Sequence, residues 1–256
     1  MKRKGTLNSY EQQQQKLDYY VADIHSHYPS QGYRSIADTL LNQYGWVISD
    51  ISVFKSMKRL GIKGFTRKEK SPTTTTGAEH NRYPNMLNRD FYSDKPLQKL
   101  VTDVTYIKNK GKWYYLACYL DLFNNEIVDW ELSDVFDNFL VMKPAKRILE
   151  KTKNTDTPII LHSDQGVQYS SAGYSNLLKS YNVIQSMSRA GTPRDNAVME
   201  SFFGRFKDVM SSHFKYWKCD NIHKVVADTI HYFNYVRPVR KLKRKPPVQY
   251  RIDLTA

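Results

Sequence analysis

Cysteine is almost absent. The 256 residues hold two, Cys118 and Cys219, far apart in the chain. They frame no disulfide scaffold, and no C-x-x-C pair offers zinc a site. Long apolar runs are missing too. None approaches the roughly 18 residues that a membrane span requires, so no membrane partner is expected. The opening Met1-Lys2-Arg3-Lys4 runs into polar Asn8-Ser9 and the four glutamines from Gln12 to Gln15, without the apolar stretch of a secretory signal. These absences predict a reducing cytoplasm. Acid is the scarce sign of charge. Against 39 Lys and Arg stand 25 Asp and Glu, a net charge of +14. That excludes an acidic, solvating chain and points to a polyanionic partner, with a plain solvated basic surface as the alternative.

What is present is a globular composition, 40% hydrophobic and 25% charged. It suits one sizeable domain with smaller companions. The excess charge sits at the two ends: residues 1–95 carry +6, residues 96–213 carry +1 and residues 214–256 carry +7. A nearly neutral body between two basic arms suits a catalytic unit held on nucleic acid.

Residues 1–32 read as a polar helical lead-in. Residues 33–66 carry two helical patterns. One passes through Ile36, Leu40 and Leu41 and ends near Gly45. The other starts at a Ser49 cap and repeats Ile51, Phe54, Met57 and Leu60 at three-residue steps before Gly61. Such a pair reads as a helix-turn-helix whose second helix offers Lys55, Lys58 and Arg59 to DNA; a plain helical hairpin is the bland alternative. Residues 67–95, with Ser71-Pro72 and Thr73 to Thr76, read as a basic linker. Residues 96–213 change to strand-like patterning. Strands are expected at Val101 to Ile107, Trp113 to Leu122, Glu126 to Leu132, Pro158 to His162 and Val183 to Met187. Helices are expected at Phe139 to Leu149, with Pro144 an awkward interior residue, at Tyr174 to Tyr181, and from Thr192 to about His213. The order β-β-β-α-β-α-β-α predicts an α/β fold with a ribonuclease-H-like mixed sheet. Residues 214–256 read as a basic helical extension.

Three carboxylates stand out in the core. Asp103 lies inside the first strand, on one face with Val101, Thr105 and Ile107. A carboxylate there is costly unless it meets a metal or a donor. Asp164 follows the apolar fourth strand, in Ser163-Asp164-Gln165-Gly166. Glu200 lies on the last core helix, across from the apolar stripe Val198, Phe202, Phe206 and Val209 and beside Asn196 and Lys207. Three converging carboxylates hold two Mg²⁺ ions, or Mn²⁺, through hard oxygens, and such a pair clamps the oxygens of a displacement at phosphorus. Asp121 and Asp129 read as strand-end or exposed acids. Asp195 reads as the partner of Thr192 in a capping box, with Pro193 at the first helical position.

The spacing leaves 60 residues between Asp103 and Asp164 and 35 between Asp164 and Glu200. This resembles the D,D(35)E signature of retroviral integrases and bacterial transposases. More specific are Thr102 to Ile107, His162 to Tyr169, Ser186-Met187-Ser188-Arg189 and Asp195 to Phe203, which resemble the second open-reading-frame product of the IS-three family of insertion sequences. Gly32-Tyr33-Arg34-Ser35-Ile36, Tyr235-Val236-Arg237-Pro238 and Pro247-Val248-Gln249-Tyr250-Arg251 resemble that family's flanking segments. Val239-Arg240 stands where the family commonly carries His-Ser. The resemblance implies a transposase acting on double-stranded DNA, both its terminal inverted repeats and its target. It implies Asp103, Asp164 and Glu200 as catalytic metal ligands, with Lys207, Asn196, Gln165 and Arg189 joining Lys55, Lys58 and Arg59 at DNA. It further implies an upstream-frame protein as partner or fusion, a homo-oligomer on DNA, and residence at the bacterial nucleoid. A non-catalytic DNA-binding remnant or repressor of a mobile element is the alternative reading.

Overall fold

The computed structural model describes residues 8–65, 83–153 and 158–255. Three strands form an antiparallel meander: β1 (Lys99–Asn109), β2 (Lys112–Asp121) and β3 (Ile127–Ser133). Lys110 and Gly111 join the first two, both at positive φ, 47° and 82°. That twist suits a two-residue hairpin. Two further strands, β4 (Ile160–Ser163) and β5 (Ile184–Met187), add in parallel on the other side of β1, giving the order β3-β2-β1-β4-β5. This is a ribonuclease-H-like mixed sheet.

Both faces are covered, so neighbouring β1 residues Leu100 and Val101 are equally buried, each at 0% exposure. On one face lie α4 (Phe139–Lys151) and α5 (Ala172–Ser180), packed through Leu140, Val141, Ile148, Tyr174 and Leu178 onto Leu100 and Tyr119. The α4 helix continues through the buried Pro144. The opposite face receives α6 (Ala197–Ser212) and α7 (Ile222–His231) on Val101, Ile107, Leu116 and Cys118. Phe202, Phe203 and Phe206 carry much of this contact. Each buried phenylalanine stabilises the fold by about 1.5–3 kcal/mol. After α7 a π-helical turn, Tyr232–Val236, brings Asn234 to the free edge of β3. Its amide accepts from Ile127 N and donates to Ile127 O, both at 2.9 Å. The chain ends in α8 (Pro247–Thr255).

The amino-terminal helices are α1 (Ser9–His27), α2 (Tyr33–Tyr44) and α3 (Asp50–Arg59). An Asn8–Glu11 capping box opens α1. The expected lead-in and helix pair share one core: Leu17, Val21 and Ile24 of α1 pack with Ile36, Leu40, Val53 and Met57. The stripe expected on α3 does not face inward. Ile51 and Phe54 are 66% and 51% exposed, while Val53, Ser56 and Met57 are buried. Three-residue steps fall about 60° short of a turn, so four such positions sweep half the helix rather than one face. The unit docks on the core. Ser30 N donates to His213 Nε2 at 3.2 Å, and Gln31 Nε2 donates to the Tyr232 hydroxyl at 3.2 Å. Most of the expected linker lies outside the described residues. Its end, from residue 83, packs on the core, where Met86 N donates to Ser186 Oγ at 2.9 Å.

Candidate active site

Strand register brings the first two carboxylates together. The parallel pairing of β1 with β4 sets Val101 beside His162. Asp103 lies two residues further along β1 and Asp164 just past the end of β4, close enough for the Asp164 charge to act on Asp103. Asp103 Oδ1 accepts from Val104 N at 2.7 Å, and Asp164 Oδ1 accepts from Gly166 N at 2.9 Å. A Cβ at residue 166 would stand 2.9 Å from that same Asp164 oxygen, so glycine there leaves the carboxylate its place. The third carboxylate arrives on α6. Asn196, at the foot of that helix, donates from Nδ2 to Thr102 O at 3.2 Å, one residue before Asp103. Glu200 follows in the first turn.

The electrostatics mark the pair. Burial and the Asp164 carboxylate push the Asp103 carboxyl well above the usual range. Glu200 adds to that, while the Val104 N–H and the Lys207 ammonium oppose it. Burial likewise raises Asp164 and Glu200. Other core carboxylates have found partners. Asp121 accepts from Phe123 N and Leu97 N at 3.0 and 2.8 Å. Glu126 pairs with Arg251 at 2.8 Å, and Asp129 with Arg147 at 2.7 Å. Asp103 and Asp164 form no ion pair among the described residues.

Among the described residues no three His, Cys, Asp or Glu side chains are gathered closely enough to hold one ion. The aspartates are adjacent, and Glu200 is exposed and stands outside them. The donor chemistry still fits a hard divalent cation. Two carboxylates are held side by side with the Lys207 charge opposing theirs, and the neighbouring Cys118 thiol, cross-strand from Asp103, is pushed up by burial and stays protonated.

The expected DNA contacts separate into two groups. Lys55 and Lys58 are exposed on α3, on the face that also carries Ile51 and Phe54. Lys207 is half-buried, and its charge is felt at Asp103. The others are engaged within the protein. Arg59 reaches Asp18 on α1 at 2.6 Å. Gln165 Nε2 donates to Ser188 O at 3.0 Å. Asn196 is 4% exposed and ties α6 to β1. Arg189 Nε and Nη2 both reach Asp195 at 2.8 Å.

That last contact corrects the reading of Asp195. It caps nothing: Thr192 makes no side-chain cap bond. The Asp195 side chain is 0% exposed and also accepts from Arg89 Nε at 2.7 Å and Asn85 Nδ2 at 3.0 Å. The clamp joins the start of α6 to the segment leading into β1. Arg89 and Asn85 lay inside a stretch whose composition read as linker, so only the buried acid hinted at partners. His162 was also missed. It is fully buried, its ring nitrogens 2.8 Å from Ser186 Oγ and 3.1 Å from Ser188 Oγ, and burial lowers it to about 4.

Residues 93–193 match the family model described as integrase core domain, and residues 181–247 match a second model of the same description. The chain is 36% identical over 220 residues to the putative transposase InsK of insertion sequence element IS150 from Escherichia coli K12, covering 86% of this chain and 77% of that one. It is 32% identical over 167 residues to transposase InsF of insertion sequence IS3A from the same strain, covering 65% and 58%. Its fold is similar to a chain of the simian T-cell lymphotropic virus intasome in complex with PP2A regulatory subunit B56 gamma. That match has a TM-score of 0.55 at 14% identity, over 90% of this chain and 74% of that chain, and it bears on the fold alone. With an integrase core over most of its length and these relatives, the chain belongs to the IS3 family of insertion-sequence transposases.

Proposed function

We propose that this chain is the catalytic subunit of a DNA transposase, which cuts at the ends of its insertion sequence and joins the freed 3′-hydroxyls to target DNA. The observation that carries this reading is the adjacent pair Asp103 and Asp164, on β1 and just past the end of β4, where burial and the Asp164 charge raise Asp103 despite the opposing Lys207 charge. Asp103 and Asp164 would hold Mg²⁺ or Mn²⁺, with Glu200 as the third ligand. When bound, two such ions neutralise the attacking and leaving oxygens of an in-line displacement. In cleavage, a water oxygen bonds to phosphorus and the strand's 3′-oxygen leaves. In joining, that 3′-hydroxyl attacks a target phosphodiester and another 3′-oxygen leaves. The Val104 and Gly166 N–H groups orient the two aspartates. Lys207, two helical turns beyond Glu200, meets a phosphate near the element end. Lys55 and Lys58 hold flanking DNA. The partners are double-stranded DNA with terminal inverted repeats, target DNA, the upstream-frame protein and further copies of this chain on DNA, in the bacterial cytoplasm at the nucleoid.

A second reading, a DNA-binding remnant without catalysis, draws on the outlying position of Glu200. The two are separated by incubating the chain, with and without its upstream-frame protein, with Mg²⁺ and DNA carrying element ends. Cleaved and joined products are expected from the wild type. None are expected from Asp103→Ala, Asp164→Ala or Glu200→Ala, each of which keeps DNA binding. Binding without products from the wild type selects the remnant. Wild-type joining by any one variant removes that residue from the site.

A further inference from the structure

The segment Tyr235-Val236-Arg237-Pro238 lies within the second integrase core match and outside the carboxylate centre. Arg237 follows the π-helical turn, and its N–H returns to Tyr232 O at 2.8 Å. Its guanidinium lies 5.4 Å from the centre of the Phe233 ring. That ring packs against Phe202 and Phe206 of α6, with centroids 5.3 and 6.2 Å away. Arg205 lies between those two phenylalanines on the same helix and is exposed. Arg205 projects to one side of that contact, near enough for the Arg237 charge to act on it, so the two guanidiniums flank the packing of α6 on the π-helical turn.

They lack a counter-charge. Arg89, Arg147, Arg189, Arg240 and Arg251 each reach a carboxylate. Among the described residues Arg205 and Arg237 form no ion pair. Burial pulls Arg237 below the ordinary arginine value, and the shielding of its inner side together with the Arg237 charge lowers Arg205. Packing like charges together is unfavourable unless an anion joins them. Arginine forks fit phosphate oxygens in a planar, two-pronged manner. Arg205 follows Glu200 by five residues, about 140° around the helix. An anion held here is therefore not the scissile phosphate.

We infer that Arg205 and Arg237 form a phosphate site for a backbone segment of bound DNA, separate from the carboxylate centre. The inference rests on the transposase reading for the source of its phosphate. Arg205 is the residue to change first, because its exposed side chain leaves the phenylalanine core intact.

Two measurements on the full chain test it. The first is thermal melting in inorganic phosphate against chloride at matched ionic strength. The wild type should gain stability in phosphate, and Arg205→Ala and Arg237→Ala should not. In chloride, Arg205→Ala should melt no lower than wild type, since a repulsion has been removed. The second is DNA affinity across salt concentrations. Arg205→Ala should reduce the log–log slope by about 0.9, the value of one phosphate contact. No phosphate effect on the wild type overturns the site. A phosphate effect lost in Arg205→Ala with an unchanged slope overturns DNA as its occupant. If both measurements respond as expected but the wild type neither cuts nor joins DNA, the proposed catalysis falls and the phosphate site stands.

Discussion

Replacing Asp195 with alanine removes the clamp at the foot of α6. The wild-type carboxylate is 0% exposed and accepts five hydrogen bonds: from Arg189 Nε, Arg189 Nη2, Arg189 N, Arg89 Nε and Asn85 Nδ2. Breaking a fully buried ion pair costs about 3–5 kcal/mol. Here the Arg89 and Arg189 side chains are 45% and 53% exposed, so they rehydrate once released. The expected loss is therefore smaller, about 2–3 kcal/mol. For a chain of this size that lowers the melting temperature by roughly 5–10 °C. Asp195→Asn keeps the shape and loses the charge, and should fall between. The effect has a pH signature. The Arg189 hydrogen bonds, with those of Arg89, hold the Asp195 carboxyl far below the usual range. A depressed carboxyl contributes its stability above the unfolded-chain value near 4 and loses it as pH falls further. The gap between wild type and Asp195→Ala should thus be constant between about pH 5 and pH 8 and narrow in stronger acid. Melts followed by circular dichroism across that range check both points. A variant melting within about 1 °C of wild type at pH 7 would refute the clamp.

Two further outcomes are expected. His162 is buried neutral, lowered to about 4 by burial. The unfolded chain binds its proton more readily, so stability should fall as pH drops from about 6.5 towards 4, by up to about 3 kcal/mol. Melts of His162→Gln over that range should lack this component, and an equal fall in the variant would assign the acid sensitivity elsewhere. The Lys55→Ala/Lys58→Ala double variant should reduce the salt slope of DNA binding by about 1.8 without lowering the melting temperature, since both side chains are exposed. Arg59→Ala should do the reverse, because its partner Asp18 lies on α1.

The strands and the carboxylate pair were legible because they rest on local pattern. Alternating β-branched residues marked β1, and an apolar run ending at Asp164 marked β4. What the chain does not encode locally was harder to read. Arg189 looks like any exposed cation until the fold brings it to Asp195 beside Arg89, a residue about 100 positions earlier. Asn196 shares a helix end with Glu200, yet its amide faces β1 because the strand lies directly beneath it. The lead-in of α1 read as polar since its buried residues, Leu17, Val21 and Ile24, form a narrow stripe among glutamines and tyrosines. Three positions at helical spacing suffice once two neighbouring helices supply the other walls of the core.

The departure at Val239-Arg240 acquires a physical meaning in this arrangement. Arg240 Nε reaches Asp38 on α2 at 2.9 Å, Nη2 reaches Asp50 at the start of α3 at 2.7 Å, and Nη2 also donates to Arg34 O at 3.2 Å. The Asp38 side chain is 2% exposed. One planar guanidinium with five donors can satisfy two carboxylates and a carbonyl together, which a serine with one hydroxyl cannot. The tail that follows the π-helical turn is thereby fastened to the same helices that carry Lys55 and Lys58. Asn234 fastens the turn itself to β3, in the sheet that carries Asp103. An unbroken chain of contacts thus runs from α3, through Arg240 and the turn, to the sheet that carries Asp103. The proposed function needs such a link, because slack between an element that holds DNA and one that cuts it would spread the position of the cut. The substitution at residue 240 is best understood as part of that link rather than as a contact with DNA.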